Sequence, residues 1–432
     1  MLIRKGSLLS NVRVVEVAEG FAGPWAGLLL ADLGAEVIKV ESITRMDLTR
    51  GRGDTVPSKA GAPPFLMVYP DGKPGERLWN RNSVFNACNF SKYGVTLDLT
   101  KPKGLQVLMR LVKVSDAFVS NLAVGVDEKL GITYEAVSKV NPRVIYLSSA
   151  GYGRTGPYAK RVAMGNPIDG AAGLFGLRDY GDGDGTAVTP DTHADNIAAL
   201  TNAVAIVTAL YSRQKTGKGM FIDASMVEPG MLHIGEAIMD YTMNYRVQHS
   251  LGNRDMSMSP QGCYRCQGED EWVTLSISSD EEWHRFTEVM GNPKWVKDER
   301  FVSVLGRLKN QDELDKLVEA WTIHHSKHEV MSLLHQARIA AGAVLNYAEV
   351  YSNAHLKERG FWNTVEDPDA GIHTYAGRLW KLSETEMPER RHSPCLGEHN
   401  DYVLREIAGL TSEEVSELEQ EGIIGTIPIN IG

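Results

Sequence analysis

Three glycines in one short stretch have the spacing of a nucleotide-binding loop. Gly151, Gly153 and Gly156 lie in SSAGYGRTGPYAKR, directly after an apolar run, and spell G-x-G-x-x-G. In dinucleotide-binding enzymes this loop belongs to the first βαβ unit and is followed about 20 residues later by an acid that binds the ribose. Here several predicted strands precede the loop, and no strand ending in Asp or Glu lies at that distance. The pattern argues against NAD or FAD and favours a loop whose backbone passes close to another ligand.

An aspartate stands at the start of the longest apolar helix that the sequence predicts. Asp195 directly precedes the run NIAALTNAVAIVTALYSR at 196–213, which the glycines of TGKG end. The free N–H groups and the dipole of a helix N-terminus would keep such a carboxylate ionised. Asp is also a favoured N-cap residue. The residues alone leave two interpretations open, a capping carboxylate or a carboxylate nucleophile.

Neither the cysteines nor the acidic turns predict a metal site. Cys263 and Cys266 form a single C-x-x-C, and Cys88 and Cys395 stand alone, so the second half of a zinc site is missing. The run GDGDG at 181–185 has only two of the acids of a calcium loop, which favours a solvated turn. We expect packing cysteines and no metal.

Composition restricts the class of protein. The chain has 432 residues, 43% of them hydrophobic, and is long enough to form a sizeable core divided between two domains. A net charge of −10 argues against nucleic acid as a partner. No apolar run reaches the roughly 18 residues of a membrane span, and the N-terminus lacks the apolar segment of a secretion signal. With only four cysteines, the sequence favours a cytoplasmic protein with no membrane partner.

The first third of the chain alternates predicted strands and helices. A strand at 12–17 leads to a helix at 25–33 that Pro24 opens and Gly34 closes, and the strand EVIKVE follows. The pattern recurs through GVTLDL, a helix at 103–114, and the strands DAFVSN and RVIYLSSA. This order predicts the α/β class, with a doubly wound, Rossmann-like parallel sheet.

Changes in residue composition and hydrophobic pattern along the chain predict the domain boundaries. Residues 1–224 form a large Rossmann-like domain that contains Asp195. Residues 225–345 are rich in Met, Trp and charge, with the alternating run EWVTLSIS and two amphipathic helices, and predict a smaller α+β domain. Residues 346–432 are a linker and a return to the large domain, ending in an acidic surface helix capped by Ser412.

Six stretches occur in a recognisable order along nearly the whole chain. They are VVEVAEGFAGPWAGLLLADLGAEVIKVE, TLDLTKPKG, SDAFVSN, LGITYEAVSKVNPRVIYLSSAGYGRTGPYA, ADNIAALTNAVAIVTALYSRQKTGKG and LGEHNDYVLREI. Together they resemble the class III CoA-transferases, the group of formyl-CoA, carnitine and benzylsuccinate CoA-transferases. The resemblance implies a CoA-binding Rossmann-like domain and an interlocked dimer, in which each chain threads a ring formed by the other.

The resemblance also implies a nucleophile. In that family it is an aspartate at a fixed distance before T-G-[KR]-G, and counting back from Thr216 leads to Asp195. Asp195 would exchange acids on CoA through a mixed anhydride and an aspartyl-CoA thioester. Such exchange needs no tightly bound cofactor, because the CoA thioester is itself a substrate. It needs a site that excludes water and offers backbone donors, and we expect Gly151, Tyr152 and Gly153 to lie near the substrate.

Positions that contact CoA in the family are occupied unevenly in this chain. Phe21 stands where a polar residue is usual, and Lys129 stands where an arginine is usual. Ser42 stands where some members have an arginine. The full set of expected CoA-binding residues is Phe21, Ala22, Ser42, Lys92, Leu97, Asn121 and Lys129.

The acids exchanged are predicted from one segment. Where oxalate-handling members have a glycine-rich flap, this chain has RDMSMSPQG with Met256 and Met258. Apolar, flexible methionines favour a bulkier acceptor than oxalate or formate, such as an aromatic or branched dicarboxylate of the benzylsuccinate kind. We expect succinyl-CoA or acetyl-CoA as the donor.

Two alternatives stay open. The α-methylacyl-CoA racemases share the fold but place a catalytic His just after GPYA.R, where this chain has Met164, and His193 lies elsewhere. The chain could also be one subunit of a heteromeric transferase rather than a homodimer. Asp195 would then mark it as the catalytic subunit.

Overall fold

The computed structural model describes residues 6–51, 68–178 and 193–429. The GDGDG turn at 181–185 lies outside these residues. The chain forms two compact units, of which the first comprises Met1–Leu174, Pro190–Ile238 and Gly360–Gly432, and the second Phe175–Thr189 and Met239–Arg359. The domain boundaries drawn after residues 224 and 345 stay predictions.

The first unit is built on a six-stranded sheet. Its strands are β1 (Arg13–Val17), β2 (Glu36–Glu41), β3 (Tyr93–Thr96), β4 (Ala117–Ser120), β5 (Ile145–Ala150) and β6 (Met220–Ser225). All neighbouring strands run parallel, in the order β3-β2-β1-β4-β5-β6. This is a doubly wound sheet whose strand order reverses between β1 and β4. The predicted α/β class and Rossmann-like sheet are confirmed.

Helices cover both faces of this sheet. Those of the first unit are α1 (Ala22–Asp32), α2 (Leu78–Arg81), α3 (Ser83–Cys88), α4 (Pro102–Lys113), α5 (Val126–Leu130), α6 (Tyr134–Val140), α7 (Gly165–Ala171), α8 (His193–Thr216) and α9 (Val227–Leu232). The helix α10 (Gly235–Asn244) follows. Successive strand residues point to opposite faces, so Val15 and Phe118 pack in one core and Val14 and Val119 in the other. Residues of β1 to β5 are mostly buried and many of them are apolar, whereas every second residue of the edge strand β6 from Phe221 to Asp223 is exposed.

The helix α8 is unusually long and apolar. Within the described residues it is the one helix that could cross a membrane by length and composition, although the sequence shows no apolar run of that length. The difference arises because polar residues such as Asn202 interrupt the run without lowering its mean hydropathy much. Half of the most apolar 18-residue segment of α8 is buried inside the protein.

The second unit is an antiparallel sheet with surrounding helices. Its strands are β7 (Gln261–Arg265), β8 (Trp272–Ser276) and β9 (Ala340–Ala343). Its helices are α11 (Asp280–Val289), α12 (Val304–Lys309), α13 (Gln311–Thr322), α14 (Lys327–Gln336), α15 (Tyr347–Ser352) and α16 (Ala354–Glu358). Cys263 is half-buried, Cys266 is buried, and both are free thiols.

The last segment of the chain belongs to the first unit. It forms the hairpin β10 (Trp362–Asp367) and β11 (Gly371–Ala376), and then α17 (Ser412–Gln420). Thr411, and not Ser412, caps α17, since its side chain accepts from the N–H of Glu414 and the Glu414 side chain accepts from the N–H of Thr411. The predicted cap was wrong by one residue, because either hydroxyl would satisfy the sequence pattern.

Candidate active site

A cavity of about 190 Å³ lies where four neighbouring strands end. Its walls come from residues directly after β1, β2, β3 and β4, together with Val126 and Leu130 of α5. In doubly wound sheets ligands bind at the carboxyl ends of the strands, where the strand order reverses. We call this the strand-end cavity.

Two of the predicted CoA-binding residues line the strand-end cavity. They are Ser42, whose hydroxyl lies 2.8 Å from that of Thr44, and Leu97, whose N–H donates to the carbonyl of Glu41. Lys129 is exposed on α5 between two lining residues, without being among them.

Arg45 also lines the strand-end cavity, and the sequence analysis did not single it out. Its side chain is 73% exposed and forms an ion pair of 2.7 Å with Glu19. Arg45 lies three residues after Ser42, where the resemblance led us to expect an arginine, and that proximity was the available signal.

Lys92 lies in the core beneath α1. Its amine donates to both carboxylate oxygens of Glu16, to the carbonyl of Pro24 and to the side chain of Asn89, at 2.8–3.0 Å. The residue is 1% exposed, and burial lowers the pKa of the amine to about 8. This placement corrects the expectation that Lys92 contacts CoA, because its donors are used inside the protein.

A larger cavity, of about 640 Å³, contains Asp195. Phe21 and Asn121 line it as well, together with Gly151 from the loop after β5. The Asn121 amide accepts from the N–H of Glu19 and donates to the carbonyl of the same residue, which fixes the turn before α1. Since the starts of α1 and α8 meet here, we call it the helix-end cavity.

Asp195 lies in the first turn of α8, two residues inside the helix. The residue is 8% exposed, and the backbone N–H of Ala22 at the start of α1 favours the ionised form of its carboxylate. The N–H groups of His193 and Ala194 donate to Asp169 of α7, at 3.2 and 2.7 Å. Asp169 therefore caps α8, and the interpretation of Asp195 as the cap was wrong.

The pKa of the Asp195 carboxyl group is raised above its usual value. Burial, and then the negative charge of Asp169, raise its pKa to about 6, although the N–H of Ala22 acts in the opposite direction. The N-terminus of α8 does not offset this rise in pKa, because its first N–H groups donate to Asp169. A buried carboxylate with a pKa near neutrality is mostly ionised at pH 7 and is more basic, hence more nucleophilic, than a solvated one.

The glycine-rich loop forms part of the wall beside Asp195. A Cβ on Gly151 would lie 2.1 Å from that of Ala163, and Gly153 has a φ of +75°. Arg154 ties the loop down, since its guanidinium pairs with Asp127 at 2.8 Å. Tyr152 packs in an apolar cluster beside the cavity rather than among its lining residues. The pattern serves a close approach of backbone segments next to the site.

Other predicted positions lie elsewhere in the structure. Met256, which is 65% exposed, and Met258 belong to the second unit, and their contact with a bound acid stays a prediction. Met164, at the position of the racemase histidine, lines the helix-end cavity and offers no group for proton transfer. Among the described residues, no group of three or more His, Cys, Asp or Glu side chains could hold a metal ion.

A doubly wound parallel sheet with a cavity at its strand ends is the usual setting of a nucleotide-binding site, and the helix-end cavity contains a nearly buried carboxylate. Residues 9–400 match the model of CoA-transferase family III, and the chain belongs to that family. It is therefore a CoA-transferase, which acts on an acyl-CoA and a carboxylic acid.

Known proteins support this membership along the full chain. A succinyl-CoA–D-citramalate CoA-transferase from Chloroflexus aurantiacus is 28% identical over 96% of this chain and 98% of its own. A succinate–glutarate CoA-transferase from Agrobacterium fabrum is 29% identical over 92% and 95%. The crystal structure of a CaiB/BaiF family protein from Brucella suis is 28% identical, with a TM-score of 0.81 over 93% of this chain and 100% of that one.

Proposed function

We propose that this enzyme moves CoA from succinyl-CoA to a short dicarboxylic acid through an aspartyl-CoA thioester on Asp195. The observation that carries the proposal is the position of Asp195, a nearly buried carboxylate at the wall of the helix-end cavity. The relatives named above act on succinyl-CoA and D-citramalate, or on succinate and glutarate, which supports a short aliphatic dicarboxylate. The benzylsuccinate-like acceptor and the acetyl-CoA donor receive no such support.

The chemistry follows from the two bonds that Asp195 makes in turn. Its carboxylate attacks the thioester carbonyl, the C–S bond breaks, and a mixed anhydride and CoA thiolate result. The thiolate attacks the Asp195 carbonyl carbon and displaces the donor acid, which leaves aspartyl-CoA. An acceptor carboxylate repeats both steps in reverse. In the thiolate step the negative charge develops on an Asp195 oxygen, and the N–H of Ala22, which favours the charged form of that carboxylate, would stabilise it.

We place the nucleotide end of CoA in the strand-end cavity. Ser42 and Leu97 are lining residues there, and Arg45 supplies a positive charge for phosphate groups. Phe21 and Asn121 line the helix-end cavity together with Asp195. We expect them to contact the part of CoA that connects the nucleotide to the thioester. Lys129 would contact the nucleotide only at the rim.

We further propose a homodimer. The helix α8 exposes Leu200, Val204, Val207 and Tyr211 at helical spacing, opposite the side that it buries in the first unit. Such an apolar stripe on a core helix is normally covered by another chain. A heteromer with a related chain is the alternative, and the mass of the purified assembly separates the two. A cytoplasmic location remains part of this proposal.

The proposal is tested by following CoA transfer from succinyl-CoA to glutarate by chromatography of the thioesters. Asp195→Asn lowers turnover by about four orders of magnitude or more, since the covalent route is lost. Glu228→Gln is the matched control, because Glu228 is an exposed acid in the first turn of the next helix. Unchanged turnover in Asp195→Asn, or exchange of the α-proton of an acyl-CoA with solvent in place of transfer, would refute the proposal.

A further inference from the structure

Some charged side chains that line the helix-end cavity form ion pairs within the protein, and others do not. Of the lining residues that the structure describes, Glu19, Asp195 and Arg161 are charged. Glu19 pairs with Arg45 at 2.7 Å, and Asp195 is the nucleophile of the proposed reaction. Arg161 is exposed, and no ion pair joins its guanidinium to a carboxylate of the described chain. The cavity therefore has a positive charge available for a ligand.

The guanidinium of Arg161 is held in place without being neutralised. It lies over the ring of Tyr158, with 3.7 Å from the guanidinium carbon to the ring centre. The N–H of Arg161 donates to the carbonyl of Tyr158 at 2.9 Å, and the Tyr158 ring packs edge-on against Tyr152, 5.7 Å between centres. A stacked guanidinium keeps its donors for a planar acid and loses little freedom when it binds one.

We propose that Arg161 binds the distal carboxylate of a dicarboxylic substrate whose other end reacts at Asp195. This inference rests on the proposed function and adds the residue that selects diacids. Arg161 is suited to the role because its forked donors match a carboxylate with two parallel hydrogen bonds. In an exchange through aspartyl-CoA the donor acid leaves before the acceptor enters. One subsite therefore serves both diacids in turn.

A phosphate of CoA is the competing ligand for Arg161. The strand-end cavity contains a cation of its own, Arg45, which favours phosphate binding there and leaves Arg161 for the acid. The two ligands differ in a measurable way. Loss of a phosphate contact weakens every CoA thioester equally, whereas loss of a carboxylate contact weakens only the dicarboxylic ones.

The experiment compares diacids with monoacids of matched length. Transfer from succinyl-CoA to glutarate and from butyryl-CoA to pentanoate is measured for the wild type, Arg161→Gln and Arg161→Lys. The hydroxamate that hydroxylamine forms on Asp195 is measured with each thioester alone, so that weak monoacid turnover does not limit the test. Arg161→Gln lowers kcat/KM for the diacid pair by about 10-fold to 100-fold and leaves the butyryl-CoA reactions unchanged, and Arg161→Lys falls between.

Two outcomes overturn the inference. Equal losses with succinyl-CoA and butyryl-CoA would mean that Arg161 contacts CoA or supports the cavity wall, and unchanged kinetics with both would mean that it has no contact with the acid. The failure of the proposed function is distinguishable from these results. In that case the wild type forms no hydroxamate on Asp195 with either thioester.

Discussion

The two cavities of the first unit differ in how the chain builds them. The strand-end cavity is formed by residues that directly follow neighbouring parallel strands, and its cation, Arg45, is solvent-exposed. The helix-end cavity collects the starts of two helices and the loop after β5, and its acid, Asp195, is nearly buried with a raised pKa. The topology of the sheet thus creates the cavity that we propose for the nucleotide, whereas the packing of helix ends creates the cavity that we propose for the reaction.

The turn that precedes α1 connects the cavities, since Glu19 lines both. Beneath this turn lies a buried network of charges. Lys39 donates to the carbonyl of Ala18 and to Asp47, each at 2.8 Å, and Asp47 accepts from the N–H of Gly20 at 3.1 Å. Lys92 holds the beginning of α1 through the carbonyl of Pro24. Substitutions in this network should therefore affect both cavities. Substitution of Asp195 should affect only the helix-end cavity, and substitution of Arg45 only the strand-end cavity.

The largest effect is expected from removing the shared support. Lys92→Met lowers the free energy of unfolding by about 3–5 kcal/mol, because Glu16 is left buried with one of its two lysine partners. Chemical denaturation measures this loss, and Lys129→Met, at an exposed position, is the control. Unchanged stability combined with a raised KM for the thioester would instead restore Lys92 as a CoA ligand.

A smaller effect on the free energy of unfolding is expected from removing the buried charge of the helix-end cavity. Since the pKa of Asp195 is raised to about 6, its ionised form opposes folding at pH 7.5, and Asp195→Asn raises the free energy of unfolding by about 1–3 kcal/mol. The wild type gains this stability as the pH falls through 6 and its carboxyl group is protonated. The difference therefore disappears near pH 4, where the unfolded chain is protonated as well.

Denaturation at pH 7.5 and pH 4 measures this difference, with Glu228→Gln as the control. An Asp195→Asn variant that is no more stable than the wild type at pH 7.5 would show that the site does not disfavour the charge. The contrast with the solvated strand-end cavity would then be lost.

The smallest effect is expected in the strand-end cavity. Arg45→Gln raises the KM for the CoA thioester by about threefold to tenfold and leaves kcat unchanged, because a contact with an exposed cation contributes little. Steady-state kinetics at low and high salt measure this effect, which salt reduces. Arg110→Gln, which removes a cation paired with Glu414 outside both cavities, should change neither constant. A loss of kcat in Arg45→Gln would place this residue near the chemistry instead.

The sequence predicted the sheet better than the ends of the helices. The strands of the sheet are short segments rich in apolar residues, and the turn residues between them are visible in the sequence. The helix α1 begins at Ala22 and not at Trp25, because Pro24 is tolerated within the first turn, where no N–H needs an intrahelical partner. The same kind of error put Asp195 before α8, although that helix begins at His193.

The candidate site was predictable only in part. The resemblance led to Asp195 through a fixed distance along one helix. Asp169 raises the pKa of Asp195 by its charge and accepts a hydrogen bond from the N–H of His193, 24 residues further along the chain. Arg161 lines the same cavity as Asp195 from another loop. Such contacts depend on how separate segments pack, so that no local pattern in the sequence marks these two residues.

The most direct test of the central claim is peptide mass spectrometry after incubation with succinyl-CoA and hydroxylamine. We predict a hydroxamate on Asp195 that requires succinyl-CoA and forms more slowly below pH 6, where the carboxyl group is protonated. An unmodified Asp195 under conditions in which CoA transfer proceeds, or a hydroxamate on Asp169 in its place, would contradict the claim that Asp195 is the nucleophile.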